Sequence, residues 1–170
     1  MNTIEKKSVR VGKYVDNDHV NTVISTYKQE RWSYNTERMG KADSLSAWYT
    51  VEELEDYIEL IKAHGADGIR FYFGAYPENF DEMPEYAGRQ TIVLVATKNM
   101  DNGNRQANKD LYINDGRKAR LLAYNMPQLC PPFCNTQPNP TIPPGTTLKN
   151  NKPEIGVTLI DNGKNGMSVI

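Results

Sequence analysis

Between Ser46 and Tyr76 the spacing of apolar positions changes from helical to alternating, and the change sets out three elements in succession. Val51, Leu54, Tyr57, Ile58 and Ile61 recur at intervals of three and four and make one stripe of a helix. Thr50 ahead of the stripe and Glu53 three residues on form a capping box, in which hydroxyl and carboxylate each satisfy a backbone donor near the other. Glu52, Glu55, Asp56 and Glu59 fill the opposite side, weighted toward the end where the helix dipole favours anions. Gly65 provides a left-handed residue to close the helix. From Gly68 the period becomes two, with Ile69, Phe71 and Phe73 on one side and Arg70, Tyr72 and Gly74 on the other. The pattern predicts a short strand from Ser46, a helix, and a strand over 68–76 stopped by Pro77. It also predicts that the greasy side of that strand meets the helix and that the Arg70–Tyr72 side is left for something else.

The rest of the chain is written less sharply. Residues 8–15 alternate weakly and fit an edge strand or an ordered arm. Asp16 to Asp18 offer a helix start, with Val20, Val23, Ile24 and Tyr27 as its stripe, running to Arg31 or, with a break, to Arg38, before Gly40. The continuous apolar run of Q-T-I-V-L-V-A-T-K, from Gln90 to Lys98, suits a central strand buried on both faces and paired antiparallel with 68–76. Lys109–Asn114 fits a further short strand, and Ala119–Tyr124 fits either a strand or a helix. Eight of the ten prolines fall from Pro127 onward, which predicts an extended or irregular segment with no hydrogen-bonded core element. A terminal hairpin around Asp161-Asn162-Gly163 would follow it. The expected organisation is an α+β core over residues 1–125, with two helices on a mainly antiparallel sheet of four to six strands. A proline-rich segment over 126–170 either packs on that core or docks elsewhere.

Composition narrows the function without naming it. A chain of 170 residues can bury a core without a metal or a disulfide framework. A net charge of −1, from 20 basic and 21 acidic residues, lacks the basic excess of a nucleic-acid binder. No apolar run is long enough to span a membrane, and the first residues lack the apolar centre of a signal peptide, which together predict a soluble, cytoplasmic protein. In that setting Cys130 and Cys134 of C-P-P-F-C are expected to be reduced, structural or surface thiols. A disulfide or redox role, or a metal site, is the weaker alternative, because one C-x₃-C pair offers neither the usual knuckle nor a second pair.

Candidate chemistry is sparse. His19 and His64 are the only histidines, and His64 falls in a helix's last turn, where a ring serves as a cap. The acids of the 51–63 helix read as a solvated face, since catalytic pairs need environments that push their pKa values apart. No phosphate loop, dinucleotide fingerprint or zinc-protease motif is present, and no cofactor is implied. The best ligand-binding candidate is Arg70 with Tyr72, Tyr76, Trp48 and Lys98, which could hold a small anion between bidentate donors and aromatic walls. The ordinary alternative is a cross-strand pair of Arg70 with an acid, with tyrosine packed beside it.

In W-Y-T-V-E-E-L, D-G-I-R-F-Y-F-G-A-Y-P, T-I-V-L-V-A-T-K and L-C-P-P-F-C, the chain resembles a loose group of small bacterial proteins with no assigned activity. The resemblance covers roughly residues 46–134. It implies a small soluble bacterial domain and carries over no catalytic residue. Taken together, the residues favour a non-enzymatic binding or protein-interaction module, with a protein partner or self-association. An anion sensor or enzyme at Arg70 and Tyr72 stands second, and a thiol-dependent protein using Cys130 and Cys134 third.

Overall fold

The computed structural model describes residues 8–101, 106–114, 116, 118–134, 160–161 and 167–168. The chain forms two compact units: residues 1–12 with 44–132, and residues 13–43 with 133–170. The fold is α+β, and among the described residues the strands pair antiparallel.

The first unit is built on β3 (Gln90–Asp101), flanked on one side by β2 (Gly68–Ala75). On the other side lie β4 (Gln106–Asp110) and β7 (Ala123–Tyr124), which share β3 end to end. Between those two strands the chain leaves the sheet as a hairpin of β5 (Tyr112–Asn114) and β6 (Ala119–Leu121). Leu111 N donates to Ala96 O at 2.8 Å and Ala96 N donates to Leu122 O at 3.0 Å, which closes the sheet at the hairpin's base. The segment 119–124 is therefore extended, in two short strands. Leu94, Val95, Ala96 and Thr97 are all buried, as the unbroken apolar run of β3 requires.

Helix α3 (Val51–Ala63) begins at the capping box: Glu53 N donates to Thr50 Oγ1 at 3.0 Å and Thr50 N donates to Glu53 Oε2 at 2.9 Å. It ends at His64, and Gly65 follows at φ +80°. Tyr57 and Ile61 pack on Leu94, Ala96 and Leu122, with Leu54, Ile69, Ile92 and Tyr124 around them. The Tyr57 hydroxyl reaches the carbonyls of Leu94 (3.3 Å) and Leu122 (3.1 Å), so the buried phenol keeps a partner.

One expectation is corrected here. Ile69, Phe71 and Phe73 do share the sheet face that carries Ala96, Leu94 and Ile92, their cross-strand partners. The helix lies over β3, however, and only Ile69 of the three joins the core. Phe71 is 57% exposed and Phe73 82% exposed.

A second correction concerns the start of the proline-rich stretch. Gln128–Cys130 forms β8, paired with β1 (Ser46–Trp48), and Leu129 is almost fully buried. Pro127 and Pro131 bracket the strand without entering it, so residues 128–130 keep the amides a ladder needs. Tyr86, the last residue of a 3₁₀ turn at Pro84–Tyr86, clamps the same strand: its hydroxyl donates to Pro127 O at 2.9 Å and accepts from Leu129 N at 3.1 Å. Residues 8–15, anticipated as an edge strand or an ordered arm, carry no regular secondary structure.

In the second unit α1 (Asn17–Tyr27), a π-helical turn (Lys28–Trp32) and α2 (Ser33–Met39) run consecutively, so the anticipated break is a π turn. Asp16 caps the start, accepting from His19 N, and Gly40 ends the run at φ +65°. Asp43 anchors the far end. Its carbonyl accepts from Trp32 Nε1 at 2.7 Å and its carboxylate from Asn35 Nδ2 at 3.0 Å. Ile160–Asp161 (β9) and Met167–Ser168 (β10) pair antiparallel, where the terminal hairpin is expected. The proline-rich run of 135–159 lies outside the described residues.

Candidate interaction surface

The cross-strand register distributes the anticipated site residues over different places. Arg70 and Tyr72 lie on the sheet face of Val95, Thr97 and Asp110. Gly68 and Thr97 are small enough there for the Arg70 guanidinium to lie across β3 and reach β4. It forms a salt bridge with Asp110, and its Nη1 donates to the Tyr72 hydroxyl at 3.2 Å. Tyr72 in turn donates to the other oxygen of Asp110 at 2.6 Å. The hydrogen bond to Tyr72, reinforced by the Asp110 charge, raises the guanidinium's pKa above its ordinary value and holds it cationic. This closed triad has the geometry of a cross-strand Arg–acid pair with an adjoining tyrosine.

The other three candidates stand apart from it. Tyr76 is buried, with its hydroxyl 2.9 Å from Asn125 Oδ1 and its ring stacked on Phe80 and Tyr86. Burial raises its pKa, so it stays a neutral phenol. Lys98 follows Ala96 on the opposite sheet face from Arg70, with Nζ directed toward Gly65 at the end of α3. Trp48 is half exposed on β1, opposite Gln128.

Cys130 and Cys134 form a disulfide, which corrects the expectation of two reduced thiols. The reason is local: β8 ends at Cys130, and the chain turns at Pro131 and Pro132 within the few residues before Cys134. Among the described residues no group of three His, Cys, Asp or Glu side chains is placed to hold a metal ion. Among them no helix is long and apolar enough to cross a membrane. Ser44, Leu45, Ala47, Thr91, Ile92 and Leu129 help line a pocket of about 40 Å³. That is space for water, well below the roughly 300–1,000 Å³ of ligand sites.

What remains as a surface is β2 itself. It is the end strand of its sheet among the described residues. Tyr76 N donates to Arg89 O, while Ala96 on the far side of β3 bonds Leu111 and Leu122. Antiparallel alternation then turns the amides of Arg70, Tyr72 and Gly74 toward β3. Those of Ile69, Phe71, Phe73 and Ala75 point out from the edge. Phe71 and Phe73 thus combine exposed rings with outward backbone donors and acceptors, and Tyr72 beside them is 41% exposed. Alternation alone could not have revealed this, because exposed and covered faces repeat with the same period. Asp110, the partner of Arg70, gave no sequence signal beyond being a lone acid in a short polar strand.

No protein-family model matches the chain, and no curated protein or solved structure matches it.

Proposed function

We propose that the chain is a non-enzymatic protein-interaction module that docks through the edge of β2. One observation carries the reading: two phenylalanines stand exposed on a strand whose outer amides and carbonyls have no neighbouring strand among the described residues. An open edge recruits an extended partner through main-chain bonds, and alternate side chains supply the specificity. Aromatic rings are the groups that dominate interface energetics. The anion-binding reading has less support, since a ligand would have to displace the Asp110 carboxylate from Arg70. A thiol-dependent role would first require reduction of the Cys130–Cys134 bond. Such a bond persists in oxidising surroundings, and the cytoplasmic location expected from the sequence accordingly has less support.

The test is a photo-crosslinking amino acid in place of Phe73 in producing cells, with the same group in place of exposed Val51 on α3 as control. Protein adducts at position 73 and few at 51 are expected. Absence of protein adducts at 73, or equal yields at both positions, removes the reading.

A further inference from the structure

We infer that the partner at this edge is a second copy of the chain, its β2 antiparallel to the first about a two-fold axis at Tyr72; the inference rests on the docking role proposed above. Outward-facing amides belong to residues 69, 71, 73 and 75, and an antiparallel ladder joins outward residue to outward residue. The axis must therefore fall on a residue and not between two. At Tyr72 the segment Phe71-Tyr72-Phe73 reads identically in both directions. Each Phe71 then lies opposite the second copy's Phe73, and four rings that are exposed in the single chain cover one another on one face.

Charge selects the same register. Arg70 is the sole charged residue of β2, and Asp110 already neutralises it. Opposite each Arg70 comes Gly74 of the second copy, which has no side chain to obstruct it, and the two arginines are four positions apart along the strands. An axis at Phe71 would bring the arginines closer by two positions, with like charges near one another. Strands that remain single commonly bear a lysine, a proline or an inward charge at the edge, and residues 71–75 have none. The contact is isologous, so one pairing uses both β2 edges and the assembly closes at two.

The experiment is sedimentation velocity on the purified full chain over a wide concentration range, for wild type and Phe73→Lys, alongside mild oxidation of Tyr72→Cys and Ala75→Cys. Expected is a concentration-dependent mass twice the 19.3 kDa of the chain. Phe73→Lys, a substitution at an exposed site, should weaken it by about tenfold or more. Tyr72→Cys should yield a covalent dimer because it faces itself across the axis, and Ala75→Cys should not. A wild type that stays monomeric, a dimer indifferent to Phe73→Lys, or equal crosslinking at 72 and 75 overturns the inference. A monomer whose position 73 still crosslinks a different protein in cells sinks self-pairing and leaves the docking role standing. A monomer with no adduct at all sinks both.

Discussion

At the scale of single residues, side-chain size decides what the Arg70 face can hold. A Cβ added to Gly68 would sit 2.7 Å from Oγ1 of its cross-strand partner Thr97, which is itself buried. Gly68→Ala is therefore expected to cost about 1–3 kcal/mol by overpacking, read as a lower denaturation midpoint with an unchanged slope. Thr97→Ala removes the obstructing hydroxyl, so the double variant should lose less than the sum of the two single losses. Additive losses would show that the strain lies elsewhere. The Arg70–Asp110 pair is held in good geometry but partly open to solvent, with side-chain exposures of 39% and 20%. A double-mutant cycle of Arg70→Ala and Asp110→Ala should give a coupling of only about 0.2–1 kcal/mol, smaller again at high salt.

At the scale of elements, α3 shows which features a sequence can display by itself. Its capping box, apolar stripe and closing glycine are relations between residues a few positions apart, and all are legible before folding. Its footprint is not, because that depends on which strand lies beneath it. Alternation in 68–76 marks Phe71 and Phe73 as apolar and on one side, and cannot say that the helix stops at Ile69. The prolines after Met126 likewise hid β8, since a composition average conceals three consecutive residues with free amides. Thr50→Ala should destabilise the protein by about 1 kcal/mol. The Glu53 contribution is pH-dependent. Hydrogen bonds from the Thr50 backbone and hydroxyl lower its pKa, outweighing a small burial effect, so the folded state favours the ionised form. Its contribution is present above the unfolded carboxylate pKa, about 4.3, and is lost as pH falls through the lower folded value. The melting-temperature deficit of Glu53→Ala at neutral pH should thus shrink in acid. A deficit unchanged down to acid pH would count against a charged cap.

At the scale of the whole molecule, the question is whether residues beyond Tyr124 are an appendage or part of the body. Asn125 spans Ile92 O at 2.8 Å and Tyr76 Oη at 2.9 Å, Pro127 and Leu129 are buried, and Tyr86 holds the backbone of both. β8 is also the strand that pairs with β1, so the segment leading into α3 depends on it. A docking arm could be removed from a folded domain, whereas residues 125–130 are bound into the first unit by these contacts. Deleting residues 126–170 should replace a cooperative melt with a broad one. Leu129→Ala in the full chain, which leaves every backbone bond in place, should cost about 2–5 kcal/mol through the cavity it opens. The Cys130–Cys134 bond fixes the end of the same strand, and closing so short a loop constrains the unfolded chain by about 2 kcal/mol. Reduction should accordingly lower the melting temperature of the wild type. It should not change Cys130→Ser/Cys134→Ser, which already lacks the bond. If that double variant melts where the oxidised wild type does, the clasp is not what holds β8, and Tyr86 with Leu129 holds it alone.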